Sequence, residues 1–210
     1  CKRYTNGTTA DVNSLYPSMM SSESGNRYPV GLPTFWTGNY IPDEAIAENK
    51  YYFVRIKTRF YIKPNMLPFI QIKSTTMYKS TEALESSDVY VKSENRYTAF
   101  YRDNEGVVHD TRVELTLTMT DYKLFLEHYD VLQFEILDGC WFWSEKGIFD
   151  NYIEKYKKIK MESTGAQREL AKLFLNNLYG KMGANTNSSF KFAFIKEDGT
   201  VGYYPVYAND

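Results

Sequence analysis

Cysteine is scarce in this chain of 210 residues, which contains only Cys1 and Cys140. Two isolated thiols form neither a metal-ligand pattern nor a disulfide framework, so a reducing compartment is the natural expectation. No apolar run in these 210 residues approaches membrane-spanning length, and no signal peptide is present. The chain also lacks an initiating Met and opens with Cys1-Lys2-Arg3, so we expect it to be a segment of a longer protein.

An excess of positive charge is absent as well, because the formal net charge is −1 and the pI is near 6.2. Nucleic-acid binders are commonly basic, so this balance counts weakly against one. It does not exclude an enzyme that gathers metal ions on acidic residues and concentrates its basic groups on one face. Hydrophobic and charged contents of 43% and 24% are ordinary for a globular protein. The 19 Tyr and 13 Phe suit either stacking surfaces or the edges of a β-rich core.

Hydrophobic periodicity and turn residues predict an α+β fold without repeats. Strands are predicted over residues 8–12, 51–60, 68–73, 96–101, 107–118 and 134–143. A hairpin turn is predicted over 103–106, and a second hairpin over 190–207 with its turn at 197–199. Helices are predicted to begin at Pro17, to be capped by Thr120 and Asp121 and run through Tyr129, and to cover 148–163 and 166–184. Residues 27–49 are predicted to be irregular, and 80–95 to be a loop with local helix.

The segment Asp11-Val12-Asn13-Ser14-Leu15-Tyr16-Pro17-Ser18 is the most informative part of the chain. A carboxylate ends an extended run, and a Pro-marked helix start follows within a few residues. An acidic group beside free backbone N–H donors can hold a metal ion and a polyphosphate together. On chemistry alone this segment suggests a phosphate site.

A helix about 160 residues later supplies the missing positive charge. Successive helical residues rotate by about 100°, which brings four polar side chains into one arc of roughly 80°: Arg168, Lys172, Asn176 and Tyr179. Leu170, Phe174 and Leu178 fall on the far side, which is expected to be packed. A solvated amphipathic helix is the ordinary explanation. The pair Tyr179-Gly180 favours a nucleotide instead, because a large ring beside a residue without Cβ suits close approach of a base pair.

These two segments resemble motifs A and B of family B DNA polymerases. Motif A is an Asp followed by Ser-Leu-Tyr-Pro-Ser, and motif B is a Lys followed by Asn, a small residue and Tyr-Gly. Asn177 stands where the family usually has Ser. The stretches 68–73, 127–130 and 165–173 are similar to the protein-primed branch of bacteriophages and linear plasmids.

The resemblance implies a two-metal Mg²⁺ site in which Asp11 binds both ions and the Val12 carbonyl binds one. It implies nucleotide contacts from Ser14, Leu15, Tyr16, Lys160, Arg168, Lys172, Asn176, Tyr179 and Gly180. In it, backbone N–H groups near Leu15 and Tyr16 cradle the triphosphate, and Tyr16 excludes a ribose 2′-OH. Lys172 neutralises the phosphates as a catalytic residue. The implied partners are a DNA primer-template, deoxynucleoside triphosphates and a terminal priming protein, with no membrane.

The same resemblance divides the chain into a first part of the palm (1–66), an inserted terminal-protein-type subdomain (67–146), fingers helices (147–186) and a hairpin returning to the palm (187–210). Within the insertion, 79–120 matches poorly. The Tyr-x-Asp-Thr-Asp of motif C does not occur, so the 210 residues alone are expected to be inactive. The expected location is the cytoplasm of a host cell, with a mitochondrial linear plasmid as the other source. The alternative is a noncatalytic nucleic-acid or protein-binding module of polymerase ancestry.

Overall fold

A computed structural model describes residue 3, residues 5–71 and 83–185, residue 187 and residues 189–207. The chain forms two compact units, one made of Cys1–Asn26 with Lys146–Asp210 and the other of Arg27–Glu145. Helices and strands are mixed, and the described strands pair only in antiparallel ladders. None of the described helices has both the length and the apolar character needed to span a bilayer.

The elements in chain order are α1 Leu15–Met20, a 3-10 helix Ser22–Ser24, β1 Tyr28–Thr37, α2 Asp43–Ile46, β2 Lys50–Ile62, β3 Val89–Val91, β4 Arg96–Thr98, β5 Tyr101–Arg102, β6 Val108–His109, β7 Val113–Thr118, α3 Met119–His128, β8 Tyr129–Glu145, α4 Asp150–Glu162, α5 Gly165–Met182, β9 Ser189–Ile195 and β10 Val201–Tyr207.

The unit Arg27–Glu145 is built on a four-stranded sheet in the order β1-β8-β2-β7. Alternation along β2 buries Val54, Ile56 and Phe60 completely, which confirms the strand predicted over 51–60. Phe125 of α3 and Tyr129 pack edge-on against Phe60 and complete the core. The sheet joins β2, from the predicted first palm segment, to β7 and β8 of the predicted insertion, and the subdomain names stay predictions.

The region 27–49, predicted to be irregular, contains the ten-residue strand β1. Its Pro29 and Pro33 misled the prediction, because proline lacks the N–H that a central strand needs. A strand with a neighbour on one side only tolerates proline. β1 lies at the edge of the sheet, and its register with β8 shifts between Val30 and Thr34.

The two strands predicted over 96–101 and 107–118 are broken into shorter ones. The turn at 103–106 is confirmed, since the Gly106 N–H donates to the Asp103 carbonyl at 3.0 Å and Gly106 has φ 81°. Only β5 and β6 flank that turn, whereas β4 pairs with β3 and β7 pairs with β2. Each short strand ends where its pairing with its own partner strand ends, because the backbone N–H and C=O groups need that partner. Local periodicity does not show which strand the partner is.

Three further local predictions are wrong in detail. Residues 68–71 are not a strand, 83–95 hold no helix, and the cap of α3 is Thr118, whose hydroxyl accepts from the Asp121 N–H at 3.1 Å. Residues 68–71 and 83–95 contact each other through isolated backbone hydrogen bonds instead of forming regular structure. One of these is donated by the Leu84 N–H to the Ile70 carbonyl at 2.7 Å. The remainder of the predictions over 68–73 and 80–95 falls outside the described residues.

The other unit consists of α1, the 3-10 helix, α4, α5 and the β9–β10 hairpin. The two long helices and the hairpin are confirmed within a few residues of their predicted ends. The strand predicted over 8–12 is wrong, because no described strand lies beside this segment to form a ladder. Helix α1 begins at Leu15, two residues before the predicted start, with Pro17 in the first turn where a missing N–H costs nothing.

Candidate functional site

The segment that resembles motif A turns sharply before α1. Ser14 adopts φ 52° and ψ 51°, a left-handed conformation uncommon for residues with a side chain, and its carbonyl accepts from the Ser18 N–H at 3.0 Å. Asp11 and Val12 precede the turn and are exposed to solvent. A strained residue at this point re-aims the chain, so that the carboxylate of Asp11 remains outside the helix that follows.

Tyr16 and Tyr179 meet face to face, although they belong to the two different motifs. Their ring centroids are 4.5 Å apart and the ring planes differ by 6°. The two side chains remain 54% and 56% exposed, so each ring has one covered and one open face. The pair is an aromatic platform that a flat or sugar-like group can contact from outside.

A cavity of about 290 Å³ adjoins the Ser14 turn and is lined by cations from α4 and α5. Lys160 Nζ donates to Ser14 Oγ at 3.2 Å, and Arg168 Nη1 donates to the Lys160 carbonyl at 2.9 Å. Glu23 is an acidic residue of the lining. Three predicted site residues therefore line one cavity, whose cationic side chains can bind phosphate oxygens: Ser14, Lys160 and Arg168.

Lys157 also lines this cavity and was missed from the sequence. The periodicity of α4 contained the signal, because Ile153 is its buried residue and Lys157 and Lys160 follow one and two turns later on the same face. Lys157 thus gives the cavity a third cation.

Other members of the predicted stripe on α5 are placed differently. Lys172, Asn176 and Gly180 are exposed and do not line the cavity. The structure places a Cβ built on Gly180 in open space, with no atom within 4 Å. Lys172 and Asn176 therefore present their side chains to solvent, and Gly180 directly follows Tyr179 in the chain.

The packed face of α5 agrees with the predicted one only at Leu178. Ala171, Leu175 and Leu178 are buried, whereas Leu170 and Phe174 remain 54% and 46% exposed. The prediction assumed a single packing direction opposite the polar stripe. In the fold α5 packs against both α1 and α4, so the buried strip lies beside the stripe, and Phe174 is covered on one side by Tyr156.

Only part of the ligand set of the predicted Mg²⁺ site lies among the described residues. Asp11 offers a carboxylate and Val12 a carbonyl, which are oxygen ligands of the kind Mg²⁺ prefers. Over the described ranges there is no group of three or more His, Cys, Asp or Glu that could hold a metal ion. A two-metal centre needs at least one further well-placed carboxylate. The described residues therefore fit one side of such a centre.

The 3-10 helix Ser22–Ser24 is tied to the start of α4 by Asp150. Its Oδ1 accepts from the Ser22 N–H at 2.8 Å, and the hydrogen bonds from Ser22 hold the pKa of this carboxyl below its usual value. Gly147 has φ 70°, and a Cβ there would lie 2.7 Å from Asp150 Oδ2. This close approach explains why glycine occupies the position.

The site thus combines an acidic turn, an aromatic pair and a cation-lined cavity, the parts expected of a protein that handles nucleotides. The family model described as DNA polymerase type B, organellar and viral, matches residues 2–204. The chain belongs to that family.

Its relatives include the DNA polymerase of Bacillus phage Nf, which is 35% identical over 202 residues covering 96% of this chain and 31% of the relative. The DNA polymerase of Bacillus phage phi29 is also 35% identical, over 96% of this chain and 30% of the relative. The structure of phi29 DNA polymerase with primer-template DNA and incoming nucleotide substrates matches with a TM-score of 0.69 and 34% identity, over 93% of this chain and 30% of that one. The chain therefore spans about a third of the length of these relatives.

Proposed function

We propose that this chain is the nucleotide-selecting part of a DNA-directed DNA polymerase that extends a primer on a DNA template and starts replication from a terminal protein. The observation that carries the proposal is the stacked pair of Tyr16 and Tyr179. It joins motif A to motif B at contact distance, next to the cation-lined cavity. This part of the chain would comprise a palm segment and the fingers helices α4 and α5.

The proposed division of labour follows the chemistry of each group. Lys157, Lys160 and Arg168 would bind the triphosphate in the cavity, with Lys172 approaching from solvent once a substrate is present. A phosphate oxygen would displace the Ser14 hydroxyl from Lys160, because a charge-assisted hydrogen bond is the stronger one. The backbone N–H groups near Leu15 and Tyr16 would add further donors.

The aromatic pair would select the sugar and the base. Tyr16 would lie beside the deoxyribose, where a rigid ring leaves no room for a 2′-OH. Tyr179, with Asn176 and Gly180, would contact the nascent base pair, and Gly180 would allow the closest approach because it lacks a Cβ. This geometry would reject misplaced substrates by steric exclusion.

Asp11 and the Val12 carbonyl would serve as ligands of Mg²⁺. When bound, the ions supply charge stabilisation for an in-line phosphoryl transfer. The protein's contribution on this side is to hold the Asp11 carboxylate in an exposed turn ahead of α1. Asp11 would therefore be required for nucleotide addition while contributing little to folding.

The alternative is a binding module of polymerase ancestry without catalysis, and the observation in its favour is that the described residues contain no group of three or more His, Cys, Asp or Glu able to hold a metal ion. The deciding experiment measures Mg²⁺-dependent extension of a labelled primer by the full-length protein that contains this chain. We expect extension that Asp11→Ala abolishes, with DNA affinity and thermal midpoint unchanged. DNA binding without extension at any metal concentration would establish the alternative.

A further inference from the structure

A cleft of about 480 Å³ opens in the unit Arg27–Glu145, away from both polymerase motifs in the sequence. A β-bulge shapes one of its walls. The pairing of β8 with β2 passes from Leu132–Arg59 to Glu135–Lys57, and Gln133 in the bulge has φ 51°. Bulges with a strained residue commonly re-aim side chains at functional positions. We call this space the Arg59 cleft.

Two buried polar atoms in the Arg59 cleft have no hydrogen-bond partner among the described residues. They are Arg59 Nε and Thr111 Oγ1, and the Thr111 residue is only 4% exposed. Leaving such an atom unsatisfied destabilises the folded state, so each normally has a partner. Arg59 Nε can only donate and the hydroxyl can donate, so the missing partner is a hydrogen-bond acceptor.

The charges of the Arg59 cleft point to an anion. Asp110 lines the cleft, but Arg112 engages both of its oxygens, through its backbone N–H at 2.8 Å and its Nε at 2.7 Å. His109 faces Asp103, with 2.7 Å between Nε2 and Oδ2. No described carboxylate forms an ion pair with Arg59, whose side chain contacts the Tyr61 hydroxyl and lies over the Phe100 ring at 5.4 Å. Among the described residues Arg59 therefore has no direct carboxylate partner, and the Tyr61 hydroxyl that it contacts donates to Asp88 Oδ1 at 3.0 Å.

Phe100 extends the cleft with an aromatic face. Its side chain is 66% exposed. The Thr98 hydroxyl donates to the Phe100 carbonyl and accepts from the Phe100 N–H, which fixes the backbone at this position. A cation next to an exposed ring is the arrangement that binds the phosphate and the base of a single-stranded nucleic acid. An acidic peptide would satisfy the cation and leave the ring without a partner.

We propose that the Arg59 cleft binds a backbone phosphate of single-stranded nucleic acid, with Arg59 and Thr111 as donors and Phe100 as the stacking surface. The Arg59 cleft belongs to the compact unit Arg27–Glu145, whereas the cation-lined cavity belongs to the other unit, so the two sites are distinct. The choice of nucleic acid over an acidic peptide rests on the exposed Phe100 ring and on the proposed function, whereas the anion site itself does not depend on the proposed function.

The first test titrates the chain with inorganic phosphate and follows backbone amide shifts by NMR. Saturable shifts are expected at residues 108–112 and 133, and Arg59→Gln and Thr111→Val should each remove them. Thr111→Val keeps the side-chain shape and deletes a buried unsatisfied hydroxyl, so its stability should be unchanged or higher. Arg96→Gln is the matched control, because Arg96 is exposed, pairs with Glu94 and lies outside the cleft. Shifts that persist in Arg59→Gln would overturn the anion site.

The second test measures the affinity of the chain for a labelled oligodeoxythymidylate as salt is varied. Arg59→Gln should lower the slope of log affinity against log salt by about 1, as expected when one phosphate contact is lost, and Arg96→Gln should not. Phe100→Ala should weaken binding by roughly fivefold or more, in line with about 1–3 kcal/mol per stacked base. Equal binding of polyglutamate, with no effect of Phe100→Ala, would overturn the nucleic-acid assignment. Neither readout requires polymerisation, so failure here and failure of the proposed function are distinguishable.

Discussion

Tyr16 and Tyr179 lie ring against ring, with centroids 4.5 Å apart and planes within 6° of parallel. Tyr16 is in α1 and Tyr179 is near the end of α5, so the contact fixes the two motifs relative to each other within one compact unit. Because more than half of each side chain remains exposed, the stack leaves room for a third flat group. Under the proposed function, a substrate sugar would lie against Tyr16.

Replacing Tyr16 by Val should therefore relax discrimination against ribonucleotides. Steric rejection by one pocket group is worth about 1–3 kcal/mol, so incorporation of ribonucleotides relative to deoxynucleotides should rise by roughly tenfold or more. Tyr16→Phe keeps the ring and should keep the discrimination. The measurement is the ratio of kcat/KM for the two sugars in the full-length protein. An unchanged ratio in Tyr16→Val would remove Tyr16 from sugar selection.

Gly180 allows stability and function to be separated. A Cβ at this position meets no atom within 4 Å, and Gly180 lies in helix α5, where alanine is favoured over glycine by about 0.5–1 kcal/mol. Gly180→Ala should therefore raise the free energy of unfolding of the chain. If a base pair approaches this backbone, the same change should slow nucleotide addition by the full-length protein by at least roughly tenfold, because small misplacements near the reacting groups are costly.

The control for that substitution is Gly183→Ala, at the C-cap of the same helix, where the nearest atom to a new Cβ is 4.0 Å away. It should leave nucleotide addition unchanged. A Gly180→Ala protein that is both more stable and fully active would show that glycine at this position serves no substrate.

Local chemistry predicted the elements that carry their own signal. The alternation of β2 follows from burial on one face, and the turn at Asp103–Gly106 follows from residues that favour that conformation. The strand β1 was missed because its prolines are acceptable only at a sheet edge, and edge position is a property of the whole sheet. Similarly, the strand predicted over 8–12 has no described partner.

The candidate site was predictable as a set of residue types and only partly as a geometry. Ser14, Lys160 and Arg168 were each named from the family resemblance, but the hydrogen bond between Ser14 and Lys160 depends on how α1 and α4 each pack against α5. The buried face of α5 differs from the predicted face for the same reason, because α5 packs against two helices, α1 and α4. The resemblance to polymerase motifs predicted which residues matter, and tertiary packing determined which of them touch.

Lys157 should contribute to binding of the triphosphate although no motif contains it. A cation near phosphate oxygens at the protein surface is worth about 1 kcal/mol, which corresponds to roughly fivefold in affinity. Lys157→Ala should therefore raise the KM for deoxynucleotides by about that factor, with kcat nearly unchanged. Lys158→Ala is the matched control, because Lys158 is its neighbour on α4 but does not line the cavity. Equal effects of the two substitutions would mean that only net charge matters.

Asp150 should make the stability of the chain depend on pH. The Ser22 hydrogen bonds lower the pKa of this carboxyl below its ordinary 3.8, so the folded state favours the ionised form. A lowered folded-state pKa contributes stability that is present above the unfolded value and is lost as the pH falls through the folded value. Asp150→Asn should therefore lower the urea midpoint at neutral pH, and the difference from the unsubstituted chain should shrink progressively as the pH falls below about 4. Glu154→Gln, an exposed carboxyl change on the same helix, is the matched control for the loss of one negative charge. Parallel pH profiles for Asp150→Asn and the unsubstituted chain would contradict an ionised role for Asp150 in tying α4 to the 3-10 helix Ser22–Ser24.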